Sequence, residues 1–453
     1  MSTETSTHDL TGKLLSRGEE GYEQAREAAI WNGHKTDRRP DQILLAESAE
    51  DVVDGVRLAR EAGYRIGIRS GGHTFSAPGI REGGLLIDVS RLNDITVDAT
   101  TNTAWIGPGV RPADLEKQLT PLGLFFPYGG CATVGFGGYM LSGGYGFNGK
   151  TYGAAGTNIR SVEVVTADGE LITAEETQNS DYLWAARGGG YGYFGAVTRF
   201  QIDLFPAPAL ITETTLTFTL DHFSELITWF TDVMNDLDRA LTTFIFGHKD
   251  HEGHTPDGAS VVTILGITFT DSKEEADRLL QPILTAPVLE HAVFKEIATT
   301  ITLPEVWADI DLLYPEGARY LSDTFWINDP KADGFIDALE SPFQTLPTPG
   351  SHILLNPWIP VERDDVALSG TTTLPFHVYA VYEDAADESR LREWIRSAIE
   401  PLLPYSSGVG KINESDPQRD QTHLSQANVS RLDALRAKYD PEQLFHDILS
   451  KDR

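Results

Sequence analysis

Sulfur is scarce in this chain, whose 453 residues hold one cysteine, Cys131, and three methionines. A lone cysteine excludes an internal disulfide and cannot by itself build a cysteine-based metal site, and no metal is expected. Long apolar runs are missing too. No stretch of about 18 apolar residues occurs, as a membrane-spanning helix would need. The opening "MSTETSTHDLTGKLLSRGEEGYEQ" has no apolar segment behind basic residues, so a cytoplasmic location is expected. Positive charge is in deficit, with 36 Lys and Arg against 67 Asp and Glu and a formal net charge of -31. A field of that sign repels phosphate backbones and anionic lipid, which disfavours nucleic acid and membranes as partners.

What is present is glycine, 42 residues of it, in a chain of ordinary globular composition. The length exceeds what one hydrophobic core supports, so two domains or one large composite domain are expected. In "SAEDVVDGVRLAREAGYRIGIRSGG" apolar residues recur at helical spacing over 52–62 and then alternate over 64–68 before the glycines. Strands are expected at 84–90 and 103–109, and a helix at "RPADLEKQLTPLG" with Pro112 in its first turn. A glycine-dense block without periodicity fills 128–156, and "IRSVEVVTADGELITA" reads as a hairpin about Asp168-Gly169. After an alternating run over 197–204, Pro206 and Pro208 break the pattern, and residues 1–207 are assigned to a first domain. From 208 to 415, strands ("ITETTLTFTL", "ASVVTILGITFT", "PFHVYAVYED") alternate with helices ("FSELITWFTDVMNDL", "SKEEADRLLQPIL", "ADESRLREWIRSAIEPLL"). That order predicts an antiparallel sheet backed by helices, and an α+β fold class. The remainder, 416–453, with the helix "VSRLDALRAKYDP" followed by "EQLFHDIL", is too short to stand alone and is expected to return to the first domain.

Two glycine patterns, Gly144/Gly146/Gly149 and Gly190/Gly192/Gly195, mimic a dinucleotide fingerprint. No helical pattern follows either, which argues against a Rossmann fold. The loop "RSGGHTFS" offers consecutive backbone N–H groups bare of side chains, an anion-binding nest suited to a diphosphate, with an ordinary strand-to-loop turn as the alternative. Cys131 stands in "GGCATVGFGG". Free cysteines are commonly small buried hydrophobes, but the flanking glycines leave this sulfur short of the bulk that buries one, so it either packs or faces a ligand.

Taken together, "IRSGGHTFSAPG", "GGLLIDVSRL", "PYGGCATVGFGGYMLSGGYGFNGKTYG", "VEVVTADGELI", "RGGGYGYFGAVTRF" and "KYDPEQLF" resemble, in order and spacing, the berberine bridge enzyme-like flavoproteins of the vanillyl-alcohol oxidase family. The resemblance covers nearly the whole chain. It implies a PCMH-type FAD-binding domain of two subdomains beside the substrate domain, and FAD held covalently by His73 at the flavin 8α-methyl carbon and Cys131 at flavin C6. It further implies that Arg69, Ser70, Gly71, Gly72 and Thr74 line the diphosphate. Thr133, Val134, Gly135, Gly138, Ser142, Gly143 and Gly146 would run along the ring and ribityl chain, with Asn158, Gly195 and Val197 on the adenine side and Asn428 also at the cofactor. Val134 occupies the place of an oxygen gatekeeper, where valine implies an oxidase; plain core packing is its alternative. Tyr145 matches a tyrosine that helps deprotonate substrate, with Lys150 or Lys411 as the cationic neighbour that lowers its pKa, or else serves as an aromatic platform.

The chain departs from many relatives near its end, where a Tyr-Tyr-Gly and an Asn-Tyr-x-Arg-Leu are common. Here "HLSQANVSRL" keeps Asn428, Arg431 and Leu432 but has Leu424, Ser425 and Val429 at the tyrosine positions, and Tyr139 replaces a common histidine. Substitute bases are sought in "IFGHKD", "PFHVYAVYE" and "GVGKINE": His248, His377, Tyr379, Glu383, Lys411 and Asn413, with His377 and Tyr379 on one strand face. The implied reaction is O2-dependent oxidation of a small molecule, first an alcohol such as a sugar, glycoside or secondary-metabolite hydroxyl, giving a carbonyl and H2O2. Amine or alkaloid C–N oxidation, or another tailoring oxidation of a secondary metabolite, is second, and a flavin-binding protein without turnover is third.

Overall fold

The computed structural model of the chain describes residues 10–255, 258–358, 363–369, 373–419 and 421–447. Within them a four-stranded sheet runs Lys13–Ser16, Gln42–Leu45, Leu85–Asp88, Ile66–Arg69 across its width. The last three strands are parallel. Helix Ala49–Ala62 makes the crossover. Ser48 caps it by accepting the Asp51 N–H, and Gly63 ends it at φ 68 in the left-handed region; such an N-cap is worth about 1 kcal/mol. Strand Ile66–Arg69 then runs straight into the loop that carries His73.

A five-stranded antiparallel sheet follows, in the order Ile95–Asp98, Thr103–Ile106, Gly195–Asp203, Ile159–Thr166, Leu171–Ala174. Its hairpin turns at Gly169, φ 73. The glycine block holds two helices, Phe136–Leu141 and Gly149–Tyr152, each of fewer than two turns and so too short to print a period on the sequence. Neither fingerprint-like run opens a crossover helix: Gly149 starts a single turn and Gly195 starts a strand.

The third large element is a seven-stranded antiparallel sheet ordered Phe294–Thr300, Leu210–Thr219, Ser260–Thr270, Leu241–Lys249, His352–Leu355, Leu374–Tyr382, Arg319–Ile327. Helices Phe223–Val233, Lys273–Leu284, Phe335–Gln344 and Glu388–Ile399 cover one face. In the first of these Phe223, Leu226, Ile227 and Phe230 form the buried stripe, each burial contributing about 1.5–3 kcal/mol. Strand Leu374–Tyr382 is buried at every position because both its faces are covered. Phe376, Val378 and Ala380 join the helical core, which leaves His377 and Tyr379 for the opposite face.

After helix Gln426–Tyr439 the chain is extended and pairs with the first sheet. The Ile66 N–H donates to Leu444 O at 2.7 Å, and the His446 N–H donates to Ile66 O at 2.9 Å. Residues 448 and 449 of "EQLFHDIL" lie outside the described residues. No helix of the described residues is long and apolar enough to cross a membrane.

Candidate active site

The loops after Arg69, the glycine block and the Gly190–Val197 segment wall one cavity of about 380 Å³, and the helix-free face of the seven-stranded sheet roofs it. His73 is on this wall. Its ring stacks on Trp31, centroids 4.8 Å apart and planes 19° apart, and its Nε2 is 3.2 Å from Thr133 Oγ1. Burial, reinforced by the Arg69 charge, lowers its pKa to about 4, so the imidazole is neutral and its nitrogen lone pair is available. Cys131 opens onto the same cavity. Burial, and then the charges of Asp311 and Glu414, push its thiol up to about 12. Helix Leu303–Leu313 fixes the cysteine loop from outside, where Trp307 Nε1–H donates to Gly129 O at 3.0 Å.

The glycines serve two ends. Gly71 and Gly135 let the histidine and cysteine loops touch, since a Cβ on either would collide with the other's backbone nitrogen. Gly138 is different: a Cβ there would meet no protein atom, and it would project beside a cavity that Gly138 lines. That bare strip, with the buried Tyr193 hydroxyl lacking a partner among the described residues on the same wall, fits a flat polar cofactor such as FAD.

Opposite, four side chains from the sheet and the loop beyond it form a network. Glu414 Oε2 accepts from His377 Nδ1–H at 2.7 Å and from the Tyr379 hydroxyl at 2.9 Å. Lys411 Nζ is 3.2 Å from His377 Nε2 and lies 4.8 Å above the Tyr145 ring. The His377 and Tyr379 rings are 6° from parallel, on one strand face as alternation requires. Burial lowers His377 to about 4, with Lys411 adding to the shift and Glu414 opposing it. Burial opposes ionisation of Glu414, but His377 and Lys411 outweigh it and hold the carboxyl at about 2. Burial lowers Lys411 from its ordinary value, against the pull of Glu414. A neutral histidine thus lies between a carboxylate and an amine. Beyond Tyr379, Tyr314 packs edge-on at 5.6 Å and its hydroxyl is 3.1 Å from the Nε2 of buried His352.

Most of the residues singled out from the sequence line this cavity: Arg69, Ser70, Gly71, Gly72, Thr74, Val134, Gly135, Gly138, Ser142, Gly146, Gly195 and Val197, along with Tyr145, Lys150, His377, Tyr379, Lys411 and Asn413. Several have structural partners. The Arg69 guanidinium pairs with Asp88 at 3.0 Å, Ser70 Oγ–H donates to Pro108 O at 2.6 Å, and Thr74 bonds the Tyr191 hydroxyl. Thr133, Gly143, Asn158 and Asn428 do not line the cavity, against expectation. Thr133 is exposed and reaches back to His73, while Gly143 faces Leu368. Asn158 Nδ2 donates to Tyr152 O and Ala154 O, and Asn428 Nδ2 to Ala367 O and Ser369 Oγ, so both amides hold backbone loops. His248 bonds Thr263 Oγ1 and Lys249 O, and Glu383 is exposed; neither lines the cavity. Tyr139 donates to Pro127 O at 2.9 Å. Tyr145 departs chemically: burial, then the Glu414 charge, raises its phenol further above its ordinary value despite Lys411 over the ring. Lys150 sits instead near Asp238 O at 3.5 Å, its pKa lowered by burial to about 8. Sequence reasoning missed Trp31, Glu414, Tyr314 and His352. Glu414 ends the quoted "GVGKINE", and only its acidic type beside Lys411 hinted at it.

Residues 40–175 match the FAD binding domain family. Over nearly its whole length the chain is similar to the FAD-linked oxidoreductase nodO of Hypoxylon pulicicidum, 29% identical over 441 residues and covering 95% of each chain. Among solved structures it is similar to 6-hydroxy-D-nicotine oxidase from Arthrobacter nicotinovorans, at TM-score 0.84 and 26% identity over 98% of each chain. Berberine bridge enzyme from Eschscholzia californica shares the fold, at TM-score 0.81 and 21% identity over 97% of this chain and 96% of that one. The chain is an FAD-linked oxidoreductase with an FAD-binding domain, similar in fold to berberine bridge enzyme. In this flavoenzyme the residues of the wall from Gly71 to Gly146 could hold FAD, and the sheet face with His377 and Tyr379 lines the same cavity.

Proposed function

We propose that the chain is an oxidase whose FAD is attached twice, at the 8α-methyl carbon by His73 and at C6 by Cys131. In this reading residues 1–207 bind the cofactor, 208–415 supply the roof over the substrate, and 416–453 return to the first domain. The substrate is an alcohol, a sugar, glycoside or secondary-metabolite hydroxyl, oxidised to a carbonyl with O2 as acceptor and H2O2 as product. One observation carries the reading. His73, Cys131 and Lys411 face a single cavity whose intervening wall is glycine, so cofactor tethers and a proton acceptor meet in one place.

Bound FAD would supply a two-electron acceptor for hydride from the substrate carbon, with O2 as the final acceptor in this reading. The protein's own task is the proton. Lys411, favoured in its neutral form by burial, accepts the hydroxyl proton; its ammonium is then stabilised by the His377 lone pair, the Glu414 charge behind it and the Tyr145 face. Tyr145 remains a neutral phenol, and so a donor rather than a base. Val134 lines the same cavity, and in this reading a valine at that position would admit O2.

Similarity to 6-hydroxy-D-nicotine oxidase favours a second reading, C–N oxidation of an amine. Anaerobic mixing with paired alcohols and amines separates the two: an alcohol bleaches the flavin under the first, an amine under the second. Photoreduced protein exposed to O2 is expected to reoxidise rapidly and release H2O2. Slow reoxidation rejects the oxidase, and a flavin that no substrate reduces leaves a binding protein without turnover.

A further inference from the structure

On the helical side of the seven-stranded sheet, two short turns meet at the start of helix Phe223–Val233: Leu220–His222 leads into the helix and Pro287–His291 packs beside it. The imidazoles of His222 and His291 lie face to face, centroids 3.8 Å apart and planes 6° apart. Glu225, in the first turn of the helix, faces both. Its Oε2 is 3.7 Å from His222 Nδ1 and 3.9 Å from His291 Nε2, and one ligand atom from each residue fits within 4.8 Å of the other two. Glu290 adds a second carboxylate, 3.8 Å from His291 Nε2.

These spacings are too long for hydrogen bonds, which span about 2.7–3.2 Å. They are close to the edges of a tetrahedral zinc site, where bonds of about 2.0–2.2 Å put neighbouring ligand atoms about 3.3–3.6 Å apart. Only the two Glu225 edges approach that spacing, the third lying within 4.8 Å, and the stacked rings must turn about their side-chain torsions to aim both lone pairs at one point; exposures of 32%, 49% and 34% for His222, Glu225 and His291 leave room for that turn. We propose that His222, Glu225 and His291 bind one borderline divalent cation of the zinc type, with water or Glu290 completing its shell.

Two imidazoles and a carboxylate match Zn2+, Ni2+ or Cu2+, and the small share of oxygen ligands disfavours Mg2+ and Ca2+. The positive end of the helix dipole opposes a cation here, and the Glu225 charge together with the acidic chain as a whole offsets it. Bound metal would clip the start of the helix to the turn that precedes edge strand Phe294–Thr300, at a place that is not part of the flavin cavity.

The test is calorimetric titration of chelator-treated, flavin-loaded protein with Zn2+ alone, with Mg2+ as control. One Zn2+ per chain is expected, weakened at least tenfold in both His222→Ala and His291→Ala and clearly in Glu225→Gln, while flavin absorbance and turnover are unchanged. Absence of Zn2+ binding overturns the proposal, as does stoichiometric binding that survives intact in both histidine variants. Equal binding of Mg2+ overturns the assigned cation class.

Discussion

Lys411 is an amine kept out of bulk water, where burial favours its neutral form and the Glu414 charge opposes that shift, so the groups around it set when it can accept a proton. Lys411→Met removes the acceptor and should lower kcat/KM by about 10²–10⁴-fold, most visibly by abolishing the rise of activity with pH as the amine deprotonates. Steady-state pH profiles of the two proteins check this. The Glu414 charge raises the pKa of Lys411, so Glu414→Gln should let the amine deprotonate at lower pH. The ascending limb then moves to the acid side, although the lost partner of His377 also lowers kcat. A limb that moves to the alkaline side rejects this sign. Glu414 was hard to see in the sequence because its role depends on a loop folding under a distant strand; His377 and Tyr379 were visible because two-residue alternation dictates a shared face. Asn158 and Asn428 show the reverse limit. Their motif positions were legible, but the side chains spend their hydrogen bonds on neighbouring carbonyls, which no spacing reveals.

At the scale of elements, the site is held by connections between segments far apart in the chain. Helix Leu303–Leu313 reaches the cysteine loop through the buried bond from Trp307 to Gly129 O, and Trp307 meets Tyr128 edge-on at 5.6 Å. Trp307→Phe leaves that carbonyl buried without a donor and should cost about 1–3 kcal/mol in denaturant unfolding; a value near zero would show that the helix does not brace the loop. The amphipathic helices and alternating strands singled out from the sequence were readable within a few residues of their ends, because burial imposes their period, but helices Leu303–Leu313 and Phe335–Gln344 and strands Leu241–Lys249 and Arg319–Ile327 were not among them. The short helices Phe136–Leu141 and Gly149–Tyr152 left no such trace, since tertiary contacts and glycine geometry decide them. The pairing of the C-terminal segment with Ile66 is a long-range contact of the same kind.

Across the whole molecule, buried neutral histidines make stability depend on acid. His352 and His377 are lowered by burial to about 4, and His446 to about 3 by burial and then Arg65, Arg81 and Arg436. Unfolded, each binds a proton near pH 6.5. Below that pH the unfolded chain therefore holds more protons than the folded one, so stability falls as pH drops from about 6.5 towards 4. Thermal unfolding followed over that range should show Tm decreasing before most carboxylates titrate; a flat or rising Tm between pH 6.5 and 5 would contradict it. The large negative charge works in the opposite direction only once carboxylates begin to protonate.

The proposed oxidase needs one FAD gripped by an imidazole and a thiol, His73 and Cys131, which line the same glycine-rich cavity. Intact-mass analysis of acid-denatured protein tests it most directly, comparing the parent with His73→Ala, Cys131→Ala and the double variant. The prediction is a mass increase of one FAD in the parent and in each single variant, and none in the double variant. Parent protein that sheds all its flavin on denaturation, or a double variant that retains it, would contradict the two attachments.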